Sequence, residues 1–267
     1  MTDFTTLSSE YKKKSLVQAS ASEQLVDLLS IPADADILDV GCGTGNLTAE
    51  LRDITSGRVV GVDQAEGMIQ EARRVYADKD IEFQVLSDDQ ITFFNEFDIL
   101  FCNSAFQWFR DPFATLKKFK KALRVTGKIG MQAPAKKQYC PNFIKAVEHA
   151  CASDEIAGLF SGFQSPWIFL ETAEDYGALF EKAGFKVIHC QIDEVHRTTS
   201  PEKAFDVFNS GAAAGYLNQR YFSETLPEDF SEKLLRGVRE SFDEQVNSNG
   251  EVDLLFHRIY AVAQNAD

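Results

Sequence analysis

The sequence predicts an α/β fold, a mostly parallel sheet with helices on both faces. Two observations carry that prediction. The first is the stretch Ile37-Leu38-Asp39-Val40-Gly41-Cys42-Gly43-Thr44-Gly45-Asn46-Leu47. A short apolar run carrying an acid turns through three glycines and opens an amphipathic segment with Leu47, Leu51 and Ile54, which reads as strand, tight turn and helix. Glycine lets the backbone take φ > 0, lets a ligand approach the main chain, and lets the next helix aim its amides at an anionic group. The second observation is the rhythm that follows, strand and helix alternating through residue 132, which implies parallel strands joined by crossover helices.

Taken in order, residues 1–14 are polar. Residues 15–30 place Leu16, Val17, Ala21, Leu25, Leu28 and Leu29 on one helical face that ends before Pro32. The alternating unit occupies 37–40, 45–54, 58–62, 66–76 and 81–86, followed by a strand at 97–101. Asp111 as N-cap and Pro112 in the first turn open a helix with Phe113, Leu116, Phe119 and Leu123 on one face. Thr126-Gly127 then turns into a strand at 128–132. After Pro134 the rhythm breaks, and 135–170 reads as irregular, with Cys140-Pro141, Phe160, Phe163, Pro166 and Trp167. Thr172 and Asp175 form a capping box for a helix ending at Gly184, and 185–195 is strand-like. Residues 201–218 read as an Ala-rich helix. Residues 228–247 form an amphipathic one (Phe230, Leu234, Val238, Phe242, Val246), and 253–263 is a closing strand.

Composition bounds the function. At 267 residues with 44% hydrophobic content and 22 Phe, the chain can bury a full core as one domain with elaborations. A net charge of −14 argues against a nucleic-acid partner, whose phosphates reward a basic face. The basic runs Lys12-Lys13-Lys14, Lys117 to Lys121, and Lys136-Lys137 read as solvated faces. The five cysteines are scattered and form no C-x-x-C, which fits reduced thiols rather than a disulfide frame or a zinc site. No apolar run approaches a membrane span and no signal-peptide core opens the chain, so a cytoplasmic protein with no membrane partner is expected.

The glycine spacing discriminates between nucleotides. A pyrophosphate turn reads G-x-G-x-x-G, whereas Gly41, Gly43 and Gly45 give G-x-G-x-G and position 46 is Asn. A nicotinamide-dependent oxidoreductase is therefore disfavoured. Eighteen residues after Gly45, Asp63 ends a second apolar run, where an acid can accept both hydroxyls of an adenosine ribose. The phrase Asp39-x-Gly-x-Gly-x-Gly resembles the first motif of the class I S-adenosylmethionine-dependent methyltransferases. That resemblance implies a Rossmann-like, seven-stranded, mostly parallel sheet with its last strand antiparallel. It divides the chain into an N-terminal helical lid (1–30), a cofactor-binding core (31–134), and two substrate-cap insertions (135–170 and 196–250).

The resemblance also implies a cofactor set for S-adenosyl-L-methionine and its product S-adenosyl-L-homocysteine. Asp39, Gly41, Cys42 and Gly43 face the methionine part, and Asp63, Gln64 and Met68 line the ribose side. Asp88 and Asp89 stand where relatives carry Gly-Asp-Ala-Glu to meet adenine, here with Ser87 for Gly and Asp89 for Ala. Asn103 follows the fourth strand, and Tyr11 is a candidate lid over the cofactor.

Asn103-Ser104-Ala105-Phe106-Gln107-Trp108 lacks the two prolines found where base or glutamine amines are methylated. It looks instead like the Asn-x-x-Phe/Leu-Gln/His-Trp of a branch holding trans-aconitate, malonyl-acyl-carrier-protein and juvenile-hormone-acid methyltransferases. The likeness runs from Tyr11-x-x-x-Ser15-x-x-Gln18 to Phe256-x-Arg258-x-Tyr260-x-Val262-Ala263. These relatives esterify a carboxylate, and no base is needed for that: a carboxyl with a pKa near ~4 is already ionised at neutral pH. Catalysis can rest on in-line positioning and exclusion of water, worth roughly 7–11 kcal/mol. Gln18 and Trp108 are the expected catalytic pair, two N–H donors that fix the acceptor carboxylate.

His196, Arg197 and Arg258 are secondary candidates for an anionic tail, while His149, His189 and His257 read as structural or surface residues. No histidine pairs with Cys, Asp or Glu at ligand spacing, so no metal is expected. The expected reaction is methyl transfer to a small molecule, preferably a carboxylic acid giving a methyl ester. At −14 the protein repels anions at long range, an effect screened beyond ~10 Å. Two alternatives stay open. One is O- or C-methylation of a hydroxyl or enol in a hydrophobic metabolite, which would need a base such as His196. The other is a non-catalytic cofactor-binding protein.

Overall fold

The structure is a computed structural model that describes residues 16–153 and 156–266, with side chains described from Ser22 onward. Seven strands form one sheet: β1 (Ile37–Val40), β2 (Val59–Asp63), β3 (Glu82–Val85), β4 (Phe97–Asn103), β5 (Leu123–Pro134), β6 (Phe185–Thr199) and β7 (Val252–Asn265). Their order is β3-β2-β1-β4-β5-β7-β6. The first five run parallel, and β7 lies antiparallel to β5. This is the Rossmann-like, seven-stranded arrangement expected.

The apolar strands fit a sheet covered on both faces, and all four residues of β1 are buried. Successive side chains point to opposite faces, so Leu38, Val40, Leu100 and Met131 enter one core while Ile37, Ile99, Phe101 and Val262 enter another. The first core is closed by Leu116 and Phe119 of α4 (Pro112–Ala122) and by Tyr176 and Phe180 of α6 (Ala173–Lys182). The second is closed by Leu25 and Leu29 of α1 (Leu16–Leu29) and Leu51 of α2 (Asn46–Ile54). Helix α3 (Glu66–Val75) buries Met68, Ile69 and Ala72. Both N-caps are present: Asp111 Oδ1 accepts from Ala114 N–H at 2.9 Å, and Thr172 Oγ1 accepts from Asp175 N–H at 3.1 Å; of the capping box expected at Thr172 only this half forms, and the Asp175 carboxylate accepts the Thr172 hydroxyl at 2.8 Å.

Two compact units emerge. The larger holds the described residues up to Lys137, Ile168–Asp193, and those from Arg258 onward. The smaller holds Gln138–Trp167 and Glu194–His257. Within the smaller unit α5 (Pro141–Cys151) packs on α9 (Phe230–Glu244), alongside α7 (Pro201–Ser210) and α8 (Ala213–Tyr216). Its core is aromatic, with Phe143 meeting Phe208 at 5.4 Å, Phe242 at 5.9 Å and Phe256 at 5.6 Å, all edge-on.

Two local expectations need correction. Residues 135–170 contain helix α5, because Pro141 occupies its first turn and Phe143, Ala146, Val147 and Ala150 form one buried face. Residues 201–218 hold two helices instead of one, since α7 ends at Gly211 before α8 begins.

Candidate active site

The site residues stand at the carboxyl ends of β1 to β4, all within the larger unit. Asp39 in β1 is buried at 2% exposure, and its Oδ2 accepts from Thr48 Oγ1 of α2 at 2.7 Å. Burial pushes its carboxyl up to about 7; the Thr48 bond opposes the rise and the charge of Asp63 adds to it.

The turn after β1 takes the conformation its glycines allow, with φ of 76° at Gly41, 55° at Gly43 and 80° at Gly45. Gly41 is also a point of close approach, since a Cβ there would stand 2.4 Å from Ala105 Cβ. The main-chain N–H of Gly43 donates to Asp63 Oδ2 at 3.0 Å, and Ala65 N–H donates to Asp63 Oδ1 at 2.8 Å. Two amides thus orient the carboxylate at the end of β2, each oxygen keeping a lone pair for a ligand. Burial raises the Asp63 carboxyl, against the two amide bonds that lower it.

Cys42 and Met68 are buried, Cys42 among Ile69, Ala72 and Phe83, while Gln64 is exposed beside Asp63. Burial pushes the Cys42 thiol well up, so it is no nucleophile at neutral pH. Asp88, in the short 3-10 turn Asp88–Gln90 after β3, accepts from Thr115 Oγ1 of α4 at 2.6 Å. Asp89 is exposed; its carboxylate takes the Ser87 hydroxyl and its carbonyl takes Lys118 Nζ. Buried Cys102 lies close enough to Asp39 and Asp88 for both charges to raise its thiol, after burial itself.

Beyond β4 the chain bends sharply. Asn103 is 9% exposed, and Ser104 takes φ 57°, unusual for a residue with a Cβ. Gln132 of β5 holds both. Its carbonyl accepts Ser104 N–H at 2.8 Å. Its side-chain amide donates to Asn103 Oδ1 at 2.9 Å and accepts from Arg258 Nη1 at 2.9 Å. Trp108 is half-buried in the 3-10 turn Phe106–Trp108 that follows.

The structure therefore brings together Asp39, Gly41, Cys42, Gly43, Asp63, Asp88 and Asn103, with Trp108 next in the chain. Gln18 lies in α1 with its side chain outside the described set, and Tyr11 lies outside the described residues. Of the secondary anchors only Arg258 joins this network; His196 is exposed and Arg197 half-buried on the part of β6 within the smaller unit. His257 Nδ1 meets the Gln138 carbonyl at 2.6 Å. Thr115 and Gln132 were not singled out by motif. The one signal for Gln132 was a polar residue in an apolar strand (Ile129, Met131, Ala133), and Thr115 gave none. Among the described residues no group of three or more His, Cys, Asp or Glu could hold a metal ion, and no helix is long and apolar enough to cross a membrane.

The residues present fit an adenosyl sulfonium. Asp39 and Asp63 flank a turn in which a Cβ at Gly43 would meet nothing within 4 Å, which leaves the main chain open to a ligand, and Asp88 stands after the next strand, β3. The family model described as a methyltransferase domain matches residues 31–184. The malonyl-[acyl-carrier protein] O-methyltransferase of Acetivibrio thermocellus is 35% identical over 120 residues, 44% of this chain and 42% of that protein. The chain thus spans under half of that relative's length. The trans-aconitate 2-methyltransferase of an Enterobacter species is 24% identical over 244 residues, 90% of each. Among solved structures, the phosphoethanolamine N-methyltransferase 2 of Haemonchus contortus, in complex with S-adenosylhomocysteine, matches with a TM-score of 0.57 at 16% identity, over 93% of this chain and 53% of that one. On the glycine turn, the sheet order and a family model that covers more than half of its length, this chain belongs to the S-adenosylmethionine-dependent methyltransferase family.

Proposed function

We propose that the chain transfers a methyl group from S-adenosyl-L-methionine to a small-molecule acceptor, a carboxylate for preference, giving a methyl ester. The observation that carries the cofactor reading is the placement of Asp39, Asp63 and Asp88 at the carboxyl ends of three successive parallel strands around the glycine turn. Asp63 takes the ribose hydroxyls, Asp88 the adenine amine, and the turn with Asp39 takes the methionine part, with Gln64, Met68, Asp89 and Asn103 alongside. When bound, the cofactor supplies a methyl group on a positively charged sulfur, a good leaving group.

For the acceptor, two relatives' names support a carboxylate: malonyl-[acyl-carrier protein] and trans-aconitate. Trp108 and Gln18 present N–H donors to the acceptor without protonating its attacking oxygen. Arg258, a buried guanidinium held by the Gln132 amide, supplies positive charge at the same strand ends, which offsets the overall negative charge of the chain. The smaller unit takes the role of substrate cap in this reading, and residues 1–30 that of a lid.

The test is calorimetric titration with S-adenosylmethionine, S-adenosylhomocysteine and NAD, using Asp63→Ala as control. A panel of carboxylic acids is then assayed for methyl-ester formation by mass spectrometry. Binding of NAD alone would sink the cofactor reading, and turnover of hydroxyl compounds but no acid would sink the acceptor reading.

A further inference from the structure

Gln132 is 0% exposed in β5, between β4 and β7. Its Oε1 accepts from Arg258 Nη1 at 2.9 Å and from the Ala133 N–H at 3.2 Å. A guanidinium has donors only and keeps its charge at physiological pH, and a main-chain N–H is likewise a donor. These two partners fix which end of the Gln132 amide faces β7, so Nε2 must face β4. Its two N–H groups go to Asn103 Oδ1 at 2.9 Å and to Ser104 Oγ at 3.0 Å. The constraint then passes to the next residues. With Oδ1 occupied, Asn103 turns its Nδ2 away from Gln132; with Oγ accepting, Ser104 keeps its hydroxyl hydrogen to give. Asn103 Nδ2 has no hydrogen-bond partner among the described residues, and it is not one of the unpaired side-chain atoms cut off from solvent. Ser104 is half-buried. A fixed charge in β7 thus sets, through one buried amide, the polarity of the chain after β4: it offers donors.

We propose that Gln132 is a positioning residue that turns Asn103 Nδ2 and the Ser104 hydroxyl toward the methyl acceptor as a pair of donors, so that the site selects a carboxylate over an amine; this rests on the function proposed above. A carboxylate brings only lone pairs and meets both donors, whereas an amine brings N–H groups and needs Asn103 turned the other way. The cofactor's own polar groups are assigned elsewhere, adenine and ribose to Asp88 and Asp63 and the methionine part to the glycine turn. In the transfer an oxygen of the acid bonds to the methyl carbon as the carbon–sulfur bond breaks, the bonding pair stays on sulfur, and the charge on the oxygen falls. The two donors therefore act mainly on binding of the ionised acid, and their loss is read in KM more than in kcat.

The experiment measures methyl transfer to butyrate, decanoate, benzoate and succinate and to butylamine, decylamine and benzylamine, together with calorimetric binding of S-adenosylhomocysteine, for wild type, Gln132→Glu and Asn103→Leu. Glutamate at 132 keeps the Arg258 and Ala133 bonds but has no N–H, so Asn103 turns its Nδ2 inward and its oxygen outward. Hydrogen bonds to a charged group predict a KM for the best acid raised about 10- to 100-fold in Gln132→Glu, with kcat within about threefold and S-adenosylhomocysteine affinity within about twofold. Asn103→Leu, which changes no charge, is expected to raise the same KM about 10-fold. An unchanged KM, a fall in kcat at constant KM, or an equal weakening of S-adenosylhomocysteine overturns the proposal and leaves Gln132 a support of the fold. Should Gln132→Glu not fold, Asn103→Leu, which leaves Gln132 and Arg258 in place, is read in the same way. Wild type that binds S-adenosylhomocysteine but methylates only amines, or no probe, overturns the acceptor reading and this inference with it. Wild type that esterifies an acid, with both variants unaffected, overturns this inference alone.

Discussion

Asp63 Oδ2 accepts the main-chain N–H of Gly43 at 3.0 Å, which ties the end of β2 to the middle of the glycine turn. The bond fixes the carboxylate before any ligand arrives, so little ordering is left for the binding step. Asp63→Ala is expected to weaken S-adenosylhomocysteine at least about 10- to 100-fold, from the loss of charge-assisted hydrogen bonds. Asp63→Asn, which keeps one carbonyl oxygen, should fall between. Isothermal titration reads both.

Gly41 and Gly43 separate two effects of glycine. Both have positive φ, but only Gly41 faces a neighbour, Ala105 Cβ, at 2.4 Å from an added Cβ. Gly43→Ala is expected to lose about 1–2 kcal/mol of stability, the left-handed conformation alone. Gly41→Ala should lose more, by a further ~1–3 kcal/mol of overpacking. Urea unfolding of the two variants checks the order.

The pH dependence of stability follows from Asp39. Its folded carboxyl, pushed up to about 7, lies above its unfolded value near ~3.9, so the folded state holds the proton more tightly. The contribution is fully present below about pH 4 and is lost as pH rises through about 7, with a slope of up to ~1.4 kcal/mol per pH unit. Asp39→Asn removes this slope. Unfolding free energies of wild type and variant, measured from pH 4 to 8, should converge or cross. Parallel curves would refute the assignment.

Thr115→Val removes the donor that orients Asp88 at 2.6 Å. The expected effect is a loss of roughly 5- to 10-fold in S-adenosylhomocysteine affinity, about one ordinary hydrogen bond. Inosine-containing analogues, which lack the adenine amine, should not distinguish variant from wild type.

Trp108→Phe keeps the ring and removes the indole N–H. Turnover of a carboxylic acid, as kcat/KM, is expected to fall about 10- to 100-fold with S-adenosylhomocysteine binding within about twofold of wild type. Equal loss of both would mark Trp108 as structural.

Much of this was legible in the sequence where cause and effect are local. Asp111-Pro112 starts α4 because cap and first turn are neighbours, and three glycines within five residues mark the turn by themselves. Helix α5 was not, because Tyr139-Cys140-Pro141-Asn142 carries turn-forming residues and Pro141 reads equally as a loop or a first helical turn. In the site, Asp39 and Asp63 were visible at strand ends. Thr115 and Gln132 were not, because each meets its partner only once parallel strands and crossover helices bring distant segments together, 27 residues apart for Thr115 and Asp88.

The contact between Gly41 and Ala105 makes two distant codons a single constraint. Position 41 has no room for a methyl group while 105 is alanine. Descendants of this chain should therefore change position 41 only together with position 105. A library randomised at 41 and 105 together should return glycine at 41, whose φ is 76°, and alanine there only beside glycine at 105.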